Sequence, residues 1–161
     1  MEDSIKESVE MYHRKIKPSN KKWKVLSIES GLHVTDDFLY RHFGVGNDFY
    51  AINILSNTDI PKEKWDLIIV SQSLQYIFDF MDFIEGCFDI LKPGGFFIVD
   101  CPFVSEYSGD SRYEDYWRIS HKAMQKILND IGFEYGNCGL VNGMLTTALV
   151  RKGKEEKTPN E

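Results

Sequence analysis

The densest concentration of chemistry-bearing side chains lies between Pro102 and Arg118. Phe103, Tyr107, Tyr113, Tyr116 and Trp117 are interleaved there with Glu106, Asp110, Arg112, Glu114, Asp115 and Arg118. Tyrosine, tryptophan and arginine dominate binding hot spots because each couples a large contact area to a polar tip. The segment is therefore the expected docking loop for a partner or ligand. In an enzyme, Tyr107, Asp110, Tyr113 and Arg118 would be its substrate-facing candidates. A plainer reading stands beside this one: Tyr116 and Trp117 hold the loop onto the following helix, and Arg118 pairs with Asp115. Other site chemistry is sparse. The four histidines form no HxxxH pair, and Cys87, Cys101 and Cys138 form no CxxC, so no metal site is expected. Neither a G-x-S-x-G elbow nor a P-loop is present. His13 and His121 read as solvent-facing, His42 sits beside a core stripe, and His33 alone falls where a ligand crevice is expected.

Composition bounds what these residues serve. With 161 residues, 42% of them hydrophobic and 14% aromatic, the chain reads as one packed domain rather than a disordered segment. A net charge of −6 argues against wholesale nucleic-acid binding. The one basic run holds Arg14, Lys15, Lys17, Lys21, Lys22 and Lys24. It reads as a solvated helix end and loop, with a phosphate-binding patch as the sharper alternative. An odd number of cysteines fits a reducing compartment. The charged start and the lack of a long apolar run point to neither a signal peptide nor a membrane span, so a cytoplasmic location is expected.

The elements that must position these residues follow from periodicity. Ser4 and Glu7 have capping-box spacing, and Ile5, Val9, Tyr12 and Ile16 form one helical face ended by Pro18. Lys24–Ile28 reads as a strand. Thr35 caps a short helix with Phe38, Leu39, His42 and Phe43 inward, closed by Gly44. Phe49–Leu55 and the nearly all-apolar Asp66–Ser71 are further strands. Phe80, Phe83, Ile84, Cys87, Phe88 and Leu91 mark a helix, Pro93-Gly94-Gly95 a tight turn, and Phe96–Cys101 a strand. After the loop, Ser120 caps a helix that Gly132 closes. Phe133–Val141 and Leu145–Val150 form an antiparallel pair around Asn142-Gly143. Strands alternating with helices imply an α/β fold: a doubly wound, mostly parallel sheet with an antiparallel C-terminal strand and helices on both faces. Ligands bind such sheets beyond the carboxyl ends of the strands. Ser27–His33, Asn53–Asp59 and Ser71–Tyr76 should meet there, under the Cys101–Arg118 loop. Residues 1–151 are expected to form the single domain, with 1–20 as an N-terminal helix docked on it and 152–161 as a disordered polar tail.

Trp65-Asp66-Leu67-Ile68-Ile69-Val70-Ser71-Gln72-Ser73-Leu74-Gln75-Tyr76-Ile77, then Leu91-Lys92-Pro93-Gly94-Gly95, then Asp115-Tyr116-Trp117-Arg118-Ile119-Ser120 occur in that order. Together they resemble the central and later blocks of class I S-adenosylmethionine (SAM)-dependent methyltransferases, over roughly residues 22–151. The resemblance implies a Rossmann-like sheet and SAM as cofactor. It also implies a cofactor site at Ile28, Glu29, Ser30 and Gly31 after the first strand. Asn53 would face the ribose, Ser56 the adenine, and Ser71 and Gln72 the methionine end.

Position by position, the ligand-holding motif departs from that family. Its acid followed by G-x-G-x-G falls on Ser27, then Glu29, Gly31 and His33, so only Gly31 matches. The ribose-binding acid is Asn53, and the adenine-contacting acid is Ser56 unless Asp59 takes its place. Gly31 to Asp66 spans 35 residues, room for one helix and one strand. A helix–strand unit is therefore missing at one sheet edge, and about six strands are expected rather than seven. Core positions match while ligand positions do not. The expected function is a methyltransferase-like protein with a degraded SAM site, weakly active or silent, that binds a partner or ligand. An active, divergent methyltransferase is the alternative. The Phe49–Leu55 edge and the 102–118 loop are the expected contact surfaces for a protein partner or a second copy.

Overall fold

The computed structural model describes residues 1–16, 21–30, 36–55, 59–107, 109 and 112–154. The expected stop at Pro18, the Thr35 cap and the 155–161 part of the tail lie outside them. The described chain contains α1 (Glu2–Lys15), β1 (Lys24–Glu29), α2 (Asp36–Leu39, continued by a π-helical turn to Gly44), β2 (Asp48–Asn53) and β3 (Trp65–Ser71). Then follow α3 (Phe80–Ile90), β4 (Leu91–Pro102), α4 (His121–Ile131), β5 (Glu134–Val141) and β6 (Leu145–Arg151). The six strands form one sheet in the order β2-β1-β3-β4-β6-β5. The first four run parallel, β6 is antiparallel to β4, and β5 is antiparallel to β6. This is the doubly wound, Rossmann-like α/β architecture expected from the alternation of elements, and β2 lies at the edge.

Strand alternation sorts the side chains into two layers. Leu26, Ile28, Ile68, Val70, Phe97 and Val99 face one layer, where Ile84 and Cys87 of α3 and Met124 and Leu128 of α4 cover them. Val25, Leu67, Ile69, Ile98 and Leu149 face the other, where Ile5, Val9 and Tyr12 of α1 and Leu39 and Phe43 of α2 cover them. Burying a side chain of this size contributes about 1.5–3 kcal/mol, so both faces of the central strands must be covered for the sheet to persist.

Two local readings change. Ser4 does not cap α1. The helix starts at Glu2, and Ser4 is a buried residue inside it whose hydroxyl accepts from Asn142 Nδ2 at 3.2 Å. Tertiary contact with the turn before β6 overrides the capping-box spacing. Nor is Pro93-Gly94-Gly95 a free turn, because it lies within β4. Leu91 pairs with Trp65 and Phe96 with Leu67, so β4 advances five residues where β3 advances two. The bulge is held by Lys152 and Gly153. Gly94 N donates to both of their carbonyls at 3.0 Å, and Lys152 N donates to Gly95 O at 2.9 Å. A Cβ at Gly95 would stand 2.9 Å from Lys92 O and 3.2 Å from Asp66 O, so only glycine lets the strands approach there. The C-terminal signals behave as read. Ser120 Oγ accepts from Ala123 N, Gly132 is left-handed at φ 117°, and Asn142 and Gly143 both have positive φ in the hairpin turn.

Candidate functional site

The parallel strands end together at a polar belt. Ser27 and Glu29 alternate with Val25 on β1, Ser71 with Ile69 on β3, and Asp100 with Ile98 on β4, so all four belong to the α1 side of the sheet. All four are buried. Ser27 Oγ donates to Glu29 Oε1. Ser71 Oγ donates to Asp100 Oδ2 at 3.0 Å, while Gln72 N and Nε2 donate to Asp100 Oδ1 at 2.8 and 2.6 Å. Asp100 therefore clamps Gln72, which sits in the left-handed region at φ 48°. Burial raises the Asp100 carboxyl to about 6, against the opposing pull of the hydrogen bonds from Gln72 and Ser71. The belt continues to β6 and α1 through Ser8 Oγ and Thr147 Oγ1, 2.6 Å apart.

Of the residues expected to hold a cofactor, Ile28, Glu29, Ser30, Ser71 and Gln72 are buried and Asn53 is exposed. Ile28 is a core side chain with no exposed surface, and its carbonyl accepts from Ser73 Oγ at 3.2 Å. Ser30 is buried. Glu29 is 3% exposed, and its Oε2 has no hydrogen-bond partner. Asn53, opposite Glu29 in the ladder, turns its Oδ1 onto Leu55 N at 2.9 Å. Ser71 and Gln72 direct their donors to Asp100. Gly31, Ser56 and His33 lie outside the described residues. Among the described residues of this set, Glu29 accepts from Ser27, Asn53 from Leu55 N, and Ser71 and Gln72 donate to Asp100. A buried carboxylate also stands where the motif needs a residue without a side chain.

The opening lies elsewhere along the same edge. A cavity of about 320 Å³ is bounded by Gln72, Gln75 and Tyr76 after β3, by Pro102, Ser105 and Glu106 after β4, and by Tyr113, Asp115, Arg118 and Met1. Of the loop candidates, Tyr113 and Arg118 are brought to it. Tyr107 is 67% exposed and does not line it, and Asp110 lies outside the described residues. Arg118 organises the loop. Its guanidinium donates to both Asp115 oxygens at 2.6 and 2.8 Å, to Trp117 O and Glu106 O at 2.8 and 2.7 Å, and to Ser105 O at 3.3 Å. The Asp115 pairing thus has the form of the plainer sequence reading. Trp117 is also structural, but its Nε1 donates to Ile77 O at 3.0 Å and its ring meets Phe80 at the start of α3, not α4. Tyr76 and Tyr113 meet edge to face at 4.9 Å. Burial pushes the Tyr76 phenol up, partly offset by a hydrogen bond from Gln75. Sequence reasoning missed Asp100, although a lone acid closing the apolar run Phe96–Val99 was its available signal. His121 is half-buried rather than solvent-facing. No group of three or more metal-ligating side chains occurs among the described residues.

Comparison with known proteins agrees with this topology. A family model described as "Methyltransferase domain" matches residues 38–99. No curated protein matches the sequence. Among solved structures, the CurJ carbon methyltransferase is similar at TM-score 0.62 and 17% identity, over 94% of this chain and 54% of that one. Human N-acetylserotonin methyltransferase in complex with SAM gives TM-score 0.59 and 14% identity, over 94% and 51%. The Burkholderia thailandensis 1,6-didemethyltoxoflavin-N1-methyltransferase, with bound 1,6-didemethyltoxoflavin and S-adenosylhomocysteine, gives 0.61 and 11%, over 94% and 79%. The chain spans about half the length of the first two. The matched segment and the sheet order show that the chain has the Rossmann-like fold of these SAM-dependent methyltransferases and is similar to their methyltransferase domain over residues 38–99.

Proposed function

We propose that this chain is a methyltransferase-fold protein whose cofactor end is closed by its own side chains, and that it acts by binding a ligand or partner through the cavity beneath the 102–118 loop. The observation that carries this reading is Glu29. Its carboxylate is buried at the end of β1 with one oxygen unpartnered, at the position where the family motif places its first glycine. A side chain there fills space that a glycine would leave open to an incoming SAM. Asn53, an uncharged acceptor already engaged with Leu55 N, offers the ribose less than a carboxylate would.

The test is calorimetric titration of S-adenosylhomocysteine into the unmodified protein and into the double variant Glu29→Gly, Asn53→Asp. The reading expects no saturable heat from the unmodified protein and measurable binding by the variant. Equal, tight binding by both would contradict it and favour an active, divergent methyltransferase. In that case the cavity at the β3 and β4 ends would be the acceptor pocket. A further surface is proposed at the open edge of the sheet, where β2 offers its backbone to a partner strand or a second copy.

A further inference from the structure

An apolar surface lies where α3 begins, outside the cavity. Phe78 is 62% exposed there, Met81 54% and Tyr116 46%. Single exposed apolar side chains are ordinary, but this group is clustered and held in place. Trp117 Nε1 donates to Ile77 O and Phe78 O at 3.0 and 3.2 Å. The Phe78 ring meets those of Tyr116 and Trp117 at 5.3 and 5.9 Å. Tyr116 N donates in turn to Gln75 O at 2.7 Å. The backbone beneath both aromatic side chains is thus fixed before anything binds, which lowers the ordering cost of a contact. Exposed aromatic side chains on a rigid base serve as anchors for a partner.

Charge selects the kind of partner. Asp79 precedes α3, and Asp82 and Glu85 stand with Met81 on its exposed face, away from the buried Ile84 and Cys87. Asp79 is the N-cap residue, yet its side chain accepts no capping hydrogen bond. None of the three acids makes an ion pair among the described residues. Lys64 and Lys152 meet α3 at its other end, donating to Asp89 O and Phe88 O. The helix dipole accounts for acids at Asp79 and Asp82, but its effect fades beyond the first turn and leaves Glu85 without a structural role. A nucleic-acid backbone or an anionic membrane would be repelled here. A second copy docking by the same face would bring like charges together.

We propose that the start of α3 docks a cationic amphipathic segment of a partner protein. Its apolar side chains lie on Phe78, Met81 and Tyr116, and its lysine or arginine side chains pair with Asp79, Asp82 and Glu85. None of these side chains lines the cavity beneath the 102–118 loop, so docking here is independent of what that cavity or the cofactor end binds.

The probe is a short amidated peptide of leucine and lysine at amphipathic helical spacing, titrated into the full chain and followed by NMR shifts. Two controls share its length, one with glutamate in place of lysine and one of lysine alone. The leucine–lysine peptide is expected to move the signals of Phe78, Met81, Glu85 and Tyr116. The lysine peptide should bind about tenfold more weakly, and the glutamate peptide not at all. Phe78→Ala should weaken the leucine–lysine peptide about tenfold. Met81→Gln combined with Glu85→Gln, both on the solvent face of α3, should weaken it several-fold. Glu10→Gln, which removes an exposed acid of α1, should leave it unchanged. The cationic partner is refuted if no peptide binds, if the shifts gather elsewhere, if the glutamate peptide binds equally well, or if neither set of α3 substitutions weakens binding. If Phe78→Ala instead disperses an assembly of the chain with itself, the occupant is a second copy and the cationic partner is refuted likewise.

Discussion

Asp100 accepts three hydrogen bonds, yet burial still holds its carboxyl at about 6. A folded-state value raised above the ordinary 3.8 fixes the sign of its pH effect. The stability it contributes is complete below about 3.8 and is lost as pH rises through about 6. Asp100→Asn removes this titration. The stability of the unmodified protein relative to Asp100→Asn should therefore fall by up to about 3 kcal/mol between pH about 4 and about 7. Urea unfolding of both proteins at the two pH values measures it, and a gap that moves the other way would refute the assignment. The residue scale is also where the sequence spoke least clearly. Glu29, Asn53 and Ser71 were legible as occupants of ligand positions. That each would be engaged with a neighbour was not, because such bonds depend on side-chain direction across strands far apart in sequence. Asp100 went unnoticed because its partners, Ser71 and Gln72, lie about thirty residues earlier.

Elements were far more legible, because periodicity and capping act within a few residues of one another. The α1 face, the Ser120 cap, the Gly132 terminator and the Asn142-Gly143 hairpin all occupy their expected places. The departures came where one element leans on another. Ser4 was drawn to Asn142, and Pro93-Gly94-Gly95 was drawn into β4 by Lys152 and Gly153. The β5–β6 pair carries another such constraint. A register shift falls between Glu134 and Asn137, and a Cβ at Gly136 would lie 2.0 Å from Leu149 O and 2.7 Å from Val150 Cα. Those atoms belong to the backbone of the neighbouring strand, so relief requires the strands to part. Gly136→Ala should cost about 2–4 kcal/mol, read as a lowered unfolding midpoint. A midpoint equal to that of the unmodified protein would show that the bulge tolerates a side chain.

At the scale of the whole molecule, the sheet is complete in its interior and ends at β2, which has no further strand beside it among the described residues. Asp48 N donates to Trp23 O and Ile54 N to Glu29 O, so even-numbered residues of β2 turn their N–H toward β1, and Phe49, Ala51 and Asn53 turn theirs outward. Tyr50 is 53% exposed on this strand. Such an edge favours association. Sedimentation across the micromolar range should show a concentration-dependent dimer, and Ala51→Pro should abolish it by removing an outward donor while sparing the β1 ladder. A monomer at every concentration would leave the edge without a self-partner.

The six-strand count was visible in the short interval between Gly31 and Asp66, and the two-faced burial in the apolar runs of β3 and β4. The position of the cavity was not visible, since it arises where three distant segments and the Arg118 clasp meet. The proposed difference between this molecule and a working relative of the same architecture is closure at the end of β1. Titrating SAM into the unmodified chain tests that closure most directly. The account predicts no saturable heat even at high ligand concentration. Saturable binding in the micromolar range, with NMR shifts at Ile28, Glu29 and Ser30, would contradict it.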